Sequence, residues 1–165
     1  MALEIERKFL VIGDGWRNGA RIRTIAQAYL TPPGPTSVRV RIQDGRATLT
    51  IKGESRGAVR DEFEYPLPLD DAEAMMTLCQ RQPIRKKRHE VLHAGKLWQV
   101  DVFEGALTGL VVAEIELSKA DEAFALPDWI GREVTDDPRY RNSTLIASGL
   151  AGLGADAPRS ACVPA

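Results

Sequence analysis

Apolar and polar residues alternate with a period of two through most of the chain up to Ser118. In a β-strand that alternation puts one set of side chains on each face. Eight short stretches follow the rule and predict about eight strands: "LEIERKFLV" (3–11), "IRTIAQAYLT" (22–31), "SVRVRI" (37–42), "ATLTIK" (47–52), "VRDEFEYPL" (59–67), "IRKKRHEVLH" (84–93), "KLWQVDVFEG" (96–105) and "LVVAEIELS" (110–118). Turn signals separate them. "PPGP" at 32–35 breaks the second stretch, Asp44-Gly45 predicts a tight hairpin, and Gly95, Gly105 and Gly109 mark later turns. "DDAEAMMTLCQRQ" (70–82) predicts a helix capped by Asp70 or Asp71, and "NSTLIASGLAGL" (142–153) a final helix opened by Asn142 or Ser143. The pattern fades from Ala120 onward, and residues 155–165 have no apolar period and are expected to be a disordered tail. The whole predicts a mainly β (α+β) fold: an antiparallel barrel or sandwich with one or two helices outside, in one domain over 1–154.

The charged positions change this picture. Taken by strand parity, seven acids (Glu4, Glu6, Glu62, Glu64, Asp101, Glu114, Glu116) and seven bases (Lys8, Arg39, Arg41, Lys52, Arg60, Arg85, Lys87) fall on period-two positions. An exposed antiparallel sheet accounts for any one such row. It does not account for the set. The rows are like-charged (EIE, RVR, EFE, EIE), whereas an exposed sheet gains from opposite charges across strands. The opposite faces carry Val, Ile, Leu and Phe, which need cover. With the apolar faces turned to the helices, the charges turn inward, where each unpaired ion costs several kcal/mol, roughly. A wet cavity in which charges pair, or ions and an anionic ligand complete the lining, satisfies them.

Composition narrows the chemistry. Lys plus Arg number 22 and Asp plus Glu 23, a net charge of −1, so no bulk field grips a nucleic acid or an anionic membrane. No apolar run reaches 18 residues, and charge appears within four residues of the start, which argues against a membrane span and a secretory signal. Cys79 and Cys162 read as free thiols, and a cytoplasmic protein is expected. Clustered carboxylates without His or Cys partners suit hard cations, Mg²⁺ or Mn²⁺. His89 and His93 share parity with Arg85 and Lys87 and are expected near a strand end. Rows of Arg and Lys suit phosphate oxygens, and so many bases point to a chain of phosphates. Neither Ser nor Cys falls in the charged rows, so no phosphoenzyme is expected; the reaction that remains is metal-assisted phosphoryl transfer to water.

These residues resemble the CYTH superfamily, the triphosphate tunnel metalloenzymes. "EIERKF" matches its ExExK signature, followed in order by RVR (39–41), TIK (50–52), EFE (62–64), RKK (85–87), VDVF (100–103), EIEL (114–117) and "EVTDDPRYRN" (133–142). The resemblance spans residues 1–153. It implies a closed eight-stranded antiparallel barrel whose tunnel holds a triphosphate and a divalent metal. By motif position it implies Glu4, Glu6, Asp101, Glu114 and Glu116 at the metal, with Glu62 and Glu64 as further acids. It implies Lys8, Arg39, Arg41, Lys52, Arg85 and Lys87 on phosphate, with Arg60 sharing their parity. Lys8, Glu116 and Tyr29 are the candidate catalytic residues; Tyr29 shares its strand with Gln27, and an ordinary packed aromatic is the competing reading for it. The short "EIERKFLV" form is most similar to the inorganic triphosphatase branch, implying hydrolysis of tripolyphosphate to pyrophosphate and phosphate. Thiamine or nucleoside triphosphate hydrolysis, class IV-type adenylyl cyclisation, and a non-catalytic polyphosphate- or nucleotide-binding module are the alternatives. A barrel of this size is compatible with a homodimer.

Overall fold

The computed structural model describes residues 3–158. Nine strands form one antiparallel sheet: β1 (Leu3–Val11), β2 (Arg21–Tyr29), β3 (Ser37–Gln43), β4 (Arg46–Lys52), β5 (Val59–Leu67), β6 (Ile84–His93), β7 (Lys96–Phe103), β8 (Val111–Glu116) and β9 (Ile130–Glu133). The spatial order is β5-β4-β3-β2-β6-β7-β8-β1-β9, and β5 pairs with β1. That last pairing, Glu4 opposite Arg60, closes eight strands into a barrel. Closure removes the free edges an open sheet would expose. The ninth strand, which the fading alternation hides, adds to β1 outside the ring.

Two apolar clusters cover the barrel from outside, and a third packs at one end. Phe9, Trp98, Val100, Ala113 and Ile115 project outward from β1, β7 and β8 and are roofed by Trp16, Phe124 and Trp129. The Trp98 ring packs near edge-on against Trp129, with centroids 5.7 Å apart, a favoured aromatic geometry. Helix α1 (Leu69–Leu78) lays Ala72, Met75 and Met76 on the outer face of β3 and β4. It begins at Leu69 after Pro68, so Asp70 and Asp71 sit in its first turn rather than at the cap. There their charge still complements the helix dipole.

The third cluster closes one end of the barrel. β2 and β4 end there, β3 and β5 begin there, and Tyr140, Leu145 and Leu153 pack on Ile84, Phe103 and Val112. The expected final helix is shorter than its apolar pattern suggests. α2 (Asn142–Ser148) stops at Gly149, where φ is 61°, and a 3-10 segment, Leu150–Asp156, follows. The expected boundary at 154 lies inside that segment, and Asp156 bonds Arg139 at 2.9 Å. Of the expected tail, 159–165 lies outside the described residues, as does Cys162. Cys79 is a free thiol. No helix of the described residues is long and apolar enough to cross a membrane.

Two hairpins carry positive φ at both central residues: Asp44-Gly45 (48°, 78°) and Ala94-Gly95 (46°, 77°). The first uses residues suited to that turn; the second places alanine where its Cβ is disfavoured by about 1 kcal/mol. Ala94→Asn is expected to stabilise the protein by about 0.5–1 kcal/mol, read as a rise of about 2–3 °C in Tm. An unchanged or lower melting temperature would show that the turn is not strained.

Candidate active site

The inward faces of the strands enclose a cavity of about 470 Å³. Its lining includes Glu4, Glu6 and Lys8 of β1, Arg39 and Arg41 of β3, Lys52 of β4, Arg60, Glu62 and Glu64 of β5, and Glu114 and Glu116 of β8. Tyr29 lines it as well. The strand order sorts these charges. The acids of β8, β1 and β5 are neighbours around the ring, and the bases of β4, β3 and β6 take the other arc. Like-charged rows thus become one acidic and one basic wall.

β6 departs from the expected parity. Arg85 and Lys87 are exposed on the outer face, and Lys86 and Arg88 point inward, buried. Among the described residues Lys87 approaches only Glu104, at 3.8 Å. The run RKKR offers a base on both parities, so charge does not choose the face. Ile84 is the misleading apolar residue: it points inward at the barrel end, beneath the C-terminal segment. His89 takes the same outer parity and packs edge-on against Trp16. The register opposes Arg88 to Asp101, the cross-strand charge match that would have identified the inward face.

Most carboxylates already hold a cation. Arg88 grips Asp101 at 2.7 and 2.8 Å and Glu114 at 2.8 Å. Lys86 also bonds Asp101. Burial alone would raise Asp101, but Arg88 and Lys86 outweigh it and keep it ionised. Lys86 is pulled down to about 8 by burial, with Arg88 competing for the same carboxylate. Asp101 therefore faces inward but lies behind the cavity wall, spent on its two bases. Glu4 holds Lys52 at 2.6 Å and Arg60 at 2.9 Å. Those cations overcome burial and hold its carboxyl at about 2. Glu114 also meets Lys8 at 3.1 Å. Glu62 lies 3.3 Å from Lys52.

Two acids are left over. Glu6 and Glu116 oppose each other across β1 and β8. Among the described residues Glu6 has only Lys8, at 3.7 Å, and Glu116 has no ion pair. Burial, then Glu114, push the Glu6 carboxyl upward. Two facing, under-compensated carboxylates are the donor set a hard divalent cation takes. Glu4 and Glu62 flank them. Among the described residues no three such groups are already gathered as a cage; Lys52 and Lys8 stand among the acids instead.

The basic wall is under-compensated in turn. The Arg39 Nη2 donates to Thr50 Oγ1 at 2.9 Å and lies 3.7 Å from the Glu64 carboxylate, to which Thr50 Oγ1 donates at 3.0 Å. The Arg39 Nε is buried without a partner. Arg41 donates twice to the Gln27 side-chain oxygen, at 3.1 and 3.0 Å, and meets no carboxylate among the described residues. Burial, with Arg39 and Arg88 nearby, lowers it to about 10. Gln27, fully buried, also donates to the Tyr29 hydroxyl at 3.3 Å. Tyr29 is thus held into the cavity rather than packed in an apolar core. Orphaned guanidinium donors beside an acid pair suit an anion that binds a cation on its other side. Ser37, one step before Arg39 on the same parity, also lines the cavity. The charged rows do not show it because β3 begins two residues before its first base, Arg39, with an uncharged side chain. No side-chain base among the described residues bonds its hydroxyl, so it lacks the partner an activated nucleophile requires.

Known proteins are similar to this chain in sequence and fold. The CYTH domain profile matches residues 2–145. An inorganic triphosphatase of Acetivibrio thermocellus is 45% identical over 147 residues, covering 88% of this chain and 94% of that protein. One from Nitrosomonas europaea is 36% identical over 151 residues, covering 88% and 97%. The crystal structure of the inorganic triphosphatase NE1496 superposes with a TM-score of 0.63 at 34% identity, over 88% of this chain and 95% of that one. The PH1012 protein of Pyrococcus horikoshii shares the fold, with a TM-score of 0.57 at 21% identity over 72% and 81%. The matched span takes in every strand that builds the two charged walls, and the chain belongs to the CYTH domain family.

Proposed function

We propose that this protein is a divalent-cation-dependent triphosphatase that hydrolyses inorganic tripolyphosphate to pyrophosphate and phosphate within the barrel. The observation that carries the reading is the pairing of unmet charge across one cavity: Glu6 and Glu116 on one wall, the orphaned Arg39 Nε and the carboxylate-free Arg41 on the other. A phosphate chain with its cation completes both. The two inorganic triphosphatases similar along nearly their whole length support the same substrate.

Arg39, Arg41, Lys52 and Arg88 take the non-bridging oxygens and hold the chain in line. Glu6 and Glu116, flanked by Glu4, would hold Mg²⁺ or Mn²⁺, and the bound ion would supply neutralisation of charge on those oxygens. Water supplies the attacking oxygen. A new P–O bond forms at one terminal phosphorus as the bridging P–O bond breaks, pyrophosphate leaves with the bond's electron pair, and the proton lost by the water ends on the released phosphates or in solvent. Lys8, raised by Glu114 and Glu6 despite burial, stays protonated and stabilises developing charge. The free Cys79 thiol agrees with a reducing, cytoplasmic setting.

The deciding assay offers tripolyphosphate, ATP and thiamine triphosphate, each with Mg²⁺, with Mn²⁺ and with chelator. Turnover is expected for tripolyphosphate foremost, lost with chelator and restored by either cation. Cyclic AMP formation with negligible tripolyphosphate turnover would reassign the chain to the cyclases; tight binding with no turnover under any cation would make it a binding module.

Two substitutions separate the walls. Glu116→Gln keeps shape but removes charge from the cation site, and kcat is expected to fall by at least ~10²-fold. Arg39→Ala is expected chiefly to raise KM. Near wild-type turnover of Glu116→Gln at saturating Mg²⁺ would remove β8 from the cation site.

Glu6 makes a prediction independent of activity. Its carboxyl is raised in the folded protein, so its charging costs stability once pH rises above the ordinary carboxylate value. Glu4 acts oppositely: its contribution is present above pH 4.5 and is lost as pH falls toward about 2. Glu6→Gln is therefore expected to raise the Tm of the chelated protein at pH 7 by about 2–4 °C. It should also shrink the further rise that Mg²⁺ gives the wild type. A lower Tm in chelator would contradict the assigned strain.

A further inference from the structure

Arg141 belongs to none of the expected charged rows, yet it lines both the main cavity and a small side cavity beside Glu4, Glu6 and Lys8. It comes from outside the sheet, at the corner between Pro138–Tyr140 and α2. The corner is pinned. The Arg141 amide donates to the Pro138 carbonyl at 3.2 Å, and the Arg141 carbonyl accepts from Thr144 and Leu145, both at 2.9 Å. The neighbours Tyr140 and Leu145 are buried in the cluster that closes this barrel end.

The side chain so positioned has no partner. Among the described residues, every other arginine lining the cavity makes a side-chain hydrogen bond: Arg39 to Thr50, Arg41 to Gln27, Arg60 to Glu4, Arg88 to Asp101. Arg141 makes none and lies in no ion pair, although Glu4 and Glu6 line the same space. The other arginines of its segment, Arg132 and Arg139, are used outside the barrel on Asp156 and, for Arg139, Asp137. A second observation points the same way. Asn142 also lines the cavity, and its side-chain oxygen is buried without a partner. Half a turn of that amide exchanges acceptor for donor.

We propose that Arg141 is a substrate-positioning residue that holds the terminal phosphate of the chain at the closed end of the barrel. The inference rests on the cavity being a tripolyphosphate site. A terminal phosphate has three non-bridging oxygens and accepts a guanidinium fork on two of them, while an internal phosphate in the same chain has two in all and spends them on the walls. Arg141 thus fixes where the chain ends. The acid and basic walls fix only the line along which it lies.

Calorimetric titration of chelated protein with tripolyphosphate tests this without turnover. Arg141→Ala is expected to weaken binding about tenfold or more, as for a lost charge-assisted hydrogen bond. Arg141→Lys should recover part of the loss, and Arg85→Ala on the outer face should bind as wild type. With Mg²⁺ present, KM should rise more than kcat falls. Arg141→Met, which keeps the apolar stem, replaces the alanine variant if that fails to fold. Wild-type affinity in a folded Arg141→Ala or Arg141→Met protein overturns the assignment while leaving the proposed function intact. Absence of saturable tripolyphosphate binding by the wild type overturns both.

Discussion

Charge enclosed by a closed sheet is the constraint on which the rest of this structure depends. A barrel of eight strands has no edge through which an inward side chain can reach bulk water. Every ion buried on its lining must pair, bind a ligand or lose its charge, whereas Glu64 and Glu116 keep contact with solvent. The chain uses the first solution wherever the cavity wall is thickest. Lys86, Arg88, Asp101 and Glu114 form one continuous network in which each acid meets two bases. That network holds β6, β7 and β8 in register and fixes the wall on which the cavity is built. Removing one partner from it strands the others, so Asp101 is better understood as scaffold than as a ligand donor.

The same constraint explains why the unmet charges are informative. Glu6, Glu116, the Arg39 Nε and Arg41 are not scattered. They face one cavity from opposite arcs of the ring. A fold selected only for stability would pair or delete them, since replacing buried ions by apolar groups is often neutral or favourable. Under the proposed function, a bound cation and anion would relieve the charge they leave unmet. Sites of this kind hold their donors ready before the ligand arrives, which is how electrostatic preorganisation lowers a barrier.

Much of this was legible in the sequence, for reasons that also mark where reading stops. EIE, RVR and EFE alternate cleanly because each strand is apolar outside and charged inside, and the closed barrel returns Glu4, Glu6, Arg39, Arg41, Lys52 and Arg60 to one space. The RKKR run carries charge on both parities, so only the opposing strand, through Asp101, distinguishes Lys86 and Arg88 from Arg85 and Lys87. β9 was hidden because Ile130–Glu133 is four residues long and pairs outside the ring. Arg141 was illegible for a different reason. It belongs to no alternating row, and its approach to the cavity depends on how the C-terminal segment folds back over Ile84 and Phe103, a tertiary fact with no local period.

That fold-back gives the barrel its polarity. Both ends of an isolated eight-stranded ring are alike in their backbone chemistry, and a phosphate chain could slide along matched walls without a defined stop. Packing Tyr140, Leu145 and Leu153 over one end makes the ends different. The opposite end carries Arg21, Arg23 and Arg46 around a second cavity that shares Arg41 and Glu64 with the first. Arg23 is there already tied to Asp44 and Glu90, at 3.0 and 3.4 Å. One end is therefore shut by an apolar cap with a free guanidinium beneath it, and the other is a basic, water-facing mouth. If the cavity is the triphosphate site proposed above, charge draws the anion toward the open end and geometry brings it to rest at the capped end. The apolar cluster that finishes the core thus also makes the two ends of the polar cavity different.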